Sequence, residues 1–437
     1  MKVDFGIHIS YTSASIARMI DGQPTIIKTN TLKDKIPLCV GFNKKGNLLV
    51  GDSAHNALRT SILKDINFEK NSSANYYSGF LRTIGTDETY YSSNTNQKYS
   101  SEQLLGFVIR ALRSFVKEND VKASVITVPN GFGLNQIEAI RKAGMLGGLE
   151  QVEIVQESIA ASMAYGLDSN KKDGFWLVFN FGTGTFDASL LKVEEGILNV
   201  IDTEVDNYLG GKNLDFAVVD EIILPYTQEN FVIDSILADD TKKQILRNAM
   251  KYYAEEIKIS LSFEETYNII TNFGDLPGED DEGDEFELDI EVTKADISET
   301  FTPIFQRAID ISLNLLDKNN LSISSLNSLI LVGGSTYSPV LRKMLEEQIC
   351  KPDTSVDPIL VDSKGAALYA SKVELSEGIR LNNLSIIEVE DLLYELFENE
   401  KIESSVFQKH FDIIFDMKKE DYPDLDILKK IYKELKT

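Results

Sequence analysis

The sequence predicts an α/β protein of two similar halves set around a cleft, with a short helical tail behind them. Three observations lead there. Apolar, β-rich runs alternate with helix-period stretches over most of the 437 residues, the pattern of layered α/β folds with a mainly parallel sheet. The segment Ile7 to Gly22 aligns without gaps on Phe179 to Glu194. Three apolar runs each stop at a turn of small residues: Ser10-Tyr11-Thr12-Ser13, Gly182-Thr183-Gly184-Thr185 and Gly333-Gly334-Ser335-Thr336.

Taken in order, the elements support this reading. In the repeat His8 falls on Asn180 and Ser10 on Gly182, and Asp21-Gly22 and Glu195-Gly196 serve as hairpin turns. Ser124 to Val128 reads as a buried strand stopped by Pro129, and Asn135 to Ala143 as a helix. Val152 to Val155 is a second strand, and Ser158 to Tyr165 is a helix closed by Gly166. A later helix carries Glu255, Lys258 and Ser262. The acid-rich stretch Gly274 to Asp289 lacks the ligand spacing of a calcium loop and reads as a solvated loop between strands Tyr267–Thr271 and Glu285–Val292. After Leu329 to Val332, Ser338 stands at an N-cap and Pro339 at the first helical position. Beyond Leu381, amphipathic helices are expected over Glu388–Phe397, Val406–Phe415 and Leu425–Leu435, with Asp421-Tyr422-Pro423-Asp424 as break and cap.

Bulk properties narrow the function classes. The formal net charge of −25 argues against nucleic-acid backbones as ligands and for protein partners. Two cysteines, Cys39 and Cys350, make neither a disulfide framework nor a metal cluster. The first residues carry Asp4 where a signal peptide needs an apolar core, and no apolar run approaches the roughly 20 residues of a membrane span. A cytoplasmic protein without membrane attachment is the expectation.

The small-residue turns suit phosphate. Successive backbone amides without side chains in the way form a concave donor nest. Gly182-Thr183-Gly184-Thr185 adds two hydroxyls, Leu209-Gly210-Gly211 offers a further paired-glycine turn, and Gly333-Gly334 precedes a helix start that favours an anion. Each string alone is also an ordinary turn. Their order (strand, Gly-x-Gly-Thr, Gly-Gly, helix, strand, Gly-Gly-Ser) is what raises them above that.

On these strings the chain resembles the nucleotide-binding domain of the seventy-kilodalton heat-shock chaperones, within the actin-like ATPase superfamily. The strings are Val125-Ile126-Thr127-Val128-Pro129, Glu157 with Ala160 to Gly166, Gly184-Thr185-Phe186-Asp187, Leu209-Gly210-Gly211, Ile330 to Thr336 and Gly365-Ala366-Ala367. The resemblance implies an actin-like ATPase fold of two duplicated lobes, each a mixed sheet flanked by helices, with four subdomains around a nucleotide cleft. Lobe I is expected over 1–174 with an insertion at about 38–110, lobe II over 175–380 with an insertion at about 216–292, and the helical tail over 381–437. The resemblance implies ATP or ADP as ligand. Thr12 and Ser13 then belong to the first phosphate loop. Gly182, Thr183, Gly184 and Thr185 surround the β- and γ-phosphates, with Gly210 and Gly211 beside them. Glu255, Lys258 and Ser262 hold the adenosine against Gly333, Gly334, Ser335 and Tyr337. Glu157 and Asp187, with Thr185, are the catalytic candidates.

Departures from the family pattern shape the functional expectation. The first-loop acid is His8, its glycine Ser10 and one threonine Tyr11, and the second-loop acid is Asn180. A rival register puts Asp4-Phe5-Gly6 on the first loop and keeps the acid, but leaves a short strand and requires an insertion. The lysine expected near the γ-phosphate falls on Leu81, with Arg82 as the neighbouring cation, and the arginine against adenine is Tyr337. No residue is assigned as a metal ligand, and the missing acids argue against a protein-held Mg²⁺. The expectation is a nucleotide-binding pseudo-ATPase with impaired or absent hydrolysis, a regulatory or scaffold subunit for a protein partner. The string Thr12-Ser13-x-Ser15-Ile16-Ala17 is similar to an atypical fungal member of the family, which implies a J-domain co-chaperone or a ribosome-associated complex as partner. An active chaperone ATPase is the alternative. A small-molecule kinase or filament former on the same fold is the second. The tail is too short for a β-sandwich and lid that would clamp peptide.

Overall fold

A computed structural model of the chain describes residues 5–63, 75–116, 121–167, 173–195, 197–372, 386–398, 401–417 and 425–436. Asp4, Gly196 and the Asp421–Asp424 cap lie outside them. The chain forms two compact units, one spanning Asp4–Lys372 and the other holding the tail from Val373 onward.

The larger unit is built on two sheets of matching topology. In the first, the strands run Gln151–Gln156, Ala123–Val128, Phe5–Ile9, Ser13–Ile20, Gln23–Ile26. In the second they run Pro352–Asp353, Leu326–Val332, Gly174–Phe181, Phe186–Glu194, Ile197–Asp206. In both, the central strand pairs parallel with the later strands and antiparallel with its own hairpin partner. His8 opposes Ser15 in the first hairpin as Asn180 opposes Asp187 in the second. The gapless repeat is therefore matched pair for pair, and this places His8 and Asn180 at equivalent points. The sheets are mixed, not mainly parallel. The alternation of runs located the parallel crossovers, but each lobe also opens on a meander whose tight turns force antiparallel pairing.

Apolar side chains on both faces account for the central strands. Phe5–Ile9, Ala123–Val128 and nearly all of Gly174–Phe181 are buried, as expected where helices cover both sides. Phe179, Phe181 and Phe186 are fully buried and pack against one another, and Phe305 of the helix Lys294–Lys318 meets Phe181 edge-on. Truncating one of these rings to Ala would cost about 3–5 kcal/mol.

The helix Val361–Lys372 lies against the helix Glu157–Ala164 and the strand Phe5–Ile9. The approach is closer than any side chain permits: a Cβ on Gly365 would stand 1.7 Å from the Ala160 carbonyl oxygen. Gly365-Ala366-Ala367 is thus a packing motif, and it carries the start of that helix to the cleft floor.

The first insertion holds the three strands Cys39–Phe42, Leu48–Val50 and Tyr76–Ser78, a hairpin over Thr89–Ser100, and the helix Ser101–Ser114 behind a Ser100–Gln103 capping box. The second contains the helix Asp240–Ser260, capped by Asp239, and the hairpin Thr266–Ile270 with Asp289–Thr293. The acidic stretch that joins the two strands of that hairpin is not simply solvated. Asp280 is buried and accepts hydrogen bonds from the amides of Val232, Glu282 and Asp284. Its carboxylate satisfies backbone donors that a loop leaves open. Pairing begins at Asp289, four residues later than the alternating pattern suggests.

Among the described residues the tail unit has the helices Ile386–Glu398, Ser404–Met417 and Leu425–Lys436, close to expectation. Val389, Leu393, Ile414, Leu428 and Ile431 form its own core.

Candidate functional site: an interlobe cleft

A cleft of about 1420 Å³ opens between the lobes of the larger unit, and Thr12, Ser13, Thr183, Lys212 and Glu255 stand on its walls. Three turns meet at its base. The first is tied by its own serine: Ser10 Oγ accepts from the Ser13 amide at 3.0 Å. The second closes where the Gly182 amide donates to the Thr185 carbonyl at 3.0 Å. The amides of Gly211 and Lys212 then donate to the carbonyls of Gly182 and Thr183 at 2.9 and 2.7 Å. That lacing needs bare backbone, since a Cβ on Gly210 would stand 2.7 Å from Gly184 Cα.

The lobes touch across the base at defined points. Thr12 Oγ1 and Thr183 Oγ1 share a hydrogen bond of 2.9 Å. Arg82 donates to the carbonyls of Gly184 and Asn207 at 3.0 and 3.3 Å, and its guanidinium lies 4.8 Å from the Tyr11 ring centre. Leu81, in the expected lysine position, is buried in the lobe I core. The neighbouring Arg82 is thus the side chain from this turn that reaches the phosphate loop.

The adenosine-side candidates converge in part. Space beside Gly211 is bounded by Ser335 Oγ and Lys258 Nζ, 2.9 and 3.4 Å from where a Cβ would sit. Lys258 pairs with the buried Asp215, to which Lys251 also lies within 3.4 Å. Glu255 is held below the ordinary carboxylate range: burial would raise it, but Lys258, Lys251, His55 and Lys35 outweigh that. Burial, then Lys251 and Arg82, push Lys212 down, and burial pushes Lys35 down too. Cations this close to one another favour an anionic ligand.

Other candidates are committed elsewhere. The Ser262 hydroxyl, past the end of its helix, donates to the Lys258 carbonyl at 2.9 Å. Tyr337 does not stand free to stack: its hydroxyl donates to Asp357 at 3.0 Å, while Phe263 and Arg342 flank its ring. Ser338 occupies the N-cap position, but its hydroxyl makes no cap bond, and a tight turn, Gly334–Tyr337, precedes the helix.

Beneath the turns lies a buried polar floor. Asn180 donates from one amide nitrogen to Glu157 and Asp187, both at 2.9 Å. Asn130 donates to Asp187 at 2.6 Å and accepts from the Ser158 hydroxyl at 2.8 Å. His8 Nδ1 shares a hydrogen bond of 2.8 Å with Thr127 Oγ1 and lies 3.9 Å from Glu157, while its Nε2 lies 3.7 Å from Asp362. Burial, then Asp362 and Asp187, drive Glu157 well above the ordinary carboxylate range. Burial, then Asp187, does the same to Asp362. Asp187 is pushed up to about 6 by burial, against hydrogen bonds that lower it. Burial and then Lys35 hold His8 down to about 3. Burial thus works against charge on the imidazole and on the two carboxyl groups that lie within 4 Å of the ring.

Asn130 and Asp362 escaped the sequence reading. Asn130 follows the strand-ending Pro129. Asp362 is an acid inside the small-residue helix start Val361-Asp362-Ser363, a local clue to burial.

Two mixed sheets of equal topology, with a cleft between them, define an actin-like ATPase fold. A family model described as Hsp70 protein matches residues 4–414. The chain is 31% identical over 376 residues to the chaperone protein DnaK of Nitrosopumilus maritimus, covering 84% of this chain and 55% of that one. It is 31% identical over 372 residues to the DnaK of Metamycoplasma hominis, covering 84% and 58%. The DnaK of Methanothermobacter thermautotrophicus is 29% identical over 372 residues, covering 83% and 58%. This chain belongs to the Hsp70 family. It spans a little over half the length of these relatives.

The family resemblance implies Mg²⁺ with the nucleotide. Among the described residues no three His, Cys, Asp or Glu side chains are arranged to chelate an ion directly. The floor does offer an orphaned buried acceptor, Asp362 Oδ1, beside the acids Glu157 and Asp187. That donor set fits a hydrated Mg²⁺, which keeps several waters and takes its inner ligands largely from phosphates. No helix among the described residues is long and apolar enough to cross a membrane.

Proposed function

We propose that the chain binds ATP or ADP in the interlobe cleft, hydrolyses it slowly or not at all, and acts in the cytoplasm as a regulatory or scaffold subunit for a protein partner. The observation that carries this reading is Asn180. It stands where the family pattern has an acid, and its amide is spent bridging Glu157 and Asp187. Phosphoryl transfer to water depends on positioning and on electrostatic stabilisation. The Lys212 side chain and the amides of Thr183 and Gly184 would orient phosphates; the floor acids would accept hydrogen bonds from bound water. A Mg²⁺ ion, when bound, would offset phosphate charge. With His8 neutral and Asn180 uncharged, two charges that would organise this are missing. One lost stabiliser of this type costs roughly 3–4 kcal/mol in rate, a hundredfold or more.

A formal net charge of −25 supports a protein partner over nucleic acid. The first-loop resemblance supports a J-domain co-chaperone or a ribosome-associated complex as that partner.

The alternative is an active chaperone-family ATPase, and Glu157 and Asp187, the two floor acids that match the family pattern, favour it. Single-turnover hydrolysis of stoichiometric ATP separates the two. We expect a rate at least about a hundredfold below that of a DnaK relative assayed alongside. A comparable rate would establish the active enzyme instead.

A further inference from the structure

The acid missing from positions 8 and 180 has a counterpart on a different element. We propose that Asp362 is a positioning residue for a hydrated magnesium ion carried by the nucleotide, taking over the role vacated at His8. The inference rests on the nucleotide-binding reading above.

Asp362 sits in the first turn of the helix Val361–Lys372. Close packing drives that helix against the first central strand: a Cβ on Gly6 would stand 2.2 Å from the Ala367 amide nitrogen. At this distance the carboxylate reaches the imidazole, with Oδ2 3.7 Å from His8 Nε2. Asp362 is 3% exposed, and its Oδ1 has no hydrogen-bond partner among the described residues. Burying an acid without a partner is costly unless something is there to meet it. Glu157 and Asp187 are bridged by the Asn180 amide, and Asn130 serves Asp187 as well. Neither amide reaches Asp362, so this acid keeps unspent acceptor capacity. A carboxylate oxygen accepts hydrogen bonds only, and the waters of a hydrated Mg²⁺ are strong donors.

Outer-shell partners of bound metals typically contribute ten- to a hundredfold in metal affinity. The test is calorimetric titration of the full chain with ATP, with and without Mg²⁺, in wild type, Asp362→Asn and Asp362→Val, with thermal unfolding as the folding control. In wild type, Mg²⁺ should tighten ATP binding. In both variants that enhancement should fall about tenfold or more, while metal-free binding is kept or improved. Adding His8→Asp to Asp362→Val should return the enhancement, because it moves the carboxylate back across the same pair. As a readout independent of heat, Mn²⁺ bound with ADP should give a broadened electron-spin resonance spectrum in wild type that sharpens toward free Mn²⁺ in Asp362→Asn. An undiminished Mg²⁺ effect in Asp362→Asn overturns the assignment. Wild-type binding that ignores Mg²⁺ overturns it too, yet leaves nucleotide binding standing. No ATP binding in either condition removes the functional reading itself, and the inference with it.

Discussion

His8 stands where the family resemblance implies an acid, and its chemistry is set by what surrounds it. Burial and the charge of Lys35 hold the imidazole at about 3, against an ordinary 6.5. Between those values the folded state binds fewer protons here than the unfolded chain, so this site loses stability as pH falls below 6.5. Two pH units correspond to roughly 3 kcal/mol. Glu157, Asp187 and Asp362 act with the opposite sign. Their raised values mean that the folded state takes up protons first, so they favour folding as pH falls toward the ordinary carboxylate range. Comparison with a variant isolates the histidine. We expect His8→Gln to lose less stability than wild type between about pH 6.5 and 4.5, measured by urea unfolding at each pH, with a difference of roughly 3 kcal/mol. Parallel pH profiles would mean that the imidazole is not held neutral.

At the scale of elements, the turns decide whether the cleft exists. Gly333 has φ 93° and ψ 148°, a region open in practice only to glycine. A Cβ there would also lie 2.2 Å from the Phe181 carbonyl oxygen. The turn after one central strand is thus seated on the end of its neighbour, and Gly333 donates its amide to Pro358 at 2.8 Å. Gly334 has no such restriction, since the atoms nearest its Cβ position, on Ile359, are at 3.6 Å. Gly333→Ala should therefore cost roughly 1–3 kcal/mol from backbone strain alone and weaken ATP binding, whereas Gly334→Ala should stay within about 0.5 kcal/mol of wild type. Urea midpoints and ATP titration on the two variants check this; equal effects would contradict it. Helices and strands with strong periodicity, such as Leu134–Leu146, Ala123–Val128 and Leu425–Lys436, were legible to within a few residues. The second-insertion hairpin was less so. Its later strand was expected from Glu285 but pairs only from Asp289, because the buried Asp280 carboxylate organises the preceding stretch.

For the whole molecule, the cleft differs in charge from the total. A chain of net charge −25 sets Lys33, Lys35, Lys212 and Lys251 beside Asp34, Asp52, Glu255 and Asp357 on the walls of its cleft, with Lys258 and Arg82 beside its turns. If the proposed nucleotide binds there, these cations would meet its phosphates. Screening shortens from about 10 Å at 0.1 M salt to about 3 Å at 1 M. Affinity should therefore order ATP above ADP above AMP, and the ATP affinity should fall several-fold between about 0.1 and 0.5 M salt. Thermal unfolding at a hundredfold excess over Kd should register about 2.7 kcal/mol of stabilisation. Salt-independent binding, or equal affinity for AMP, would mean that these cations do not meet the phosphates.

Local chemistry carried much of this protein in its residue order. The repeat of Ile7–Gly22 on Phe179–Glu194 foretold two lobes. The small-residue turns foretold where they meet. These follow from periodicity and from backbone freedom, which neighbouring residues dictate; that His8 and Asn180 stand in for acids is implied by the family resemblance alone. What each polar side chain does with its hydrogen bonds was settled only by folding. Tyr337 is occupied by Asp357 and Ser262 by the Lys258 carbonyl. Asn130 serves Asp187, and Asp362 arrives beside His8 from the far end of the unit. Such partners are distant in the chain and are selected by packing. The reason is physical: a buried carboxylate takes its character from desolvation and from the charges around it, and neither exists until the two lobes and the helix Val361–Lys372 have closed over it.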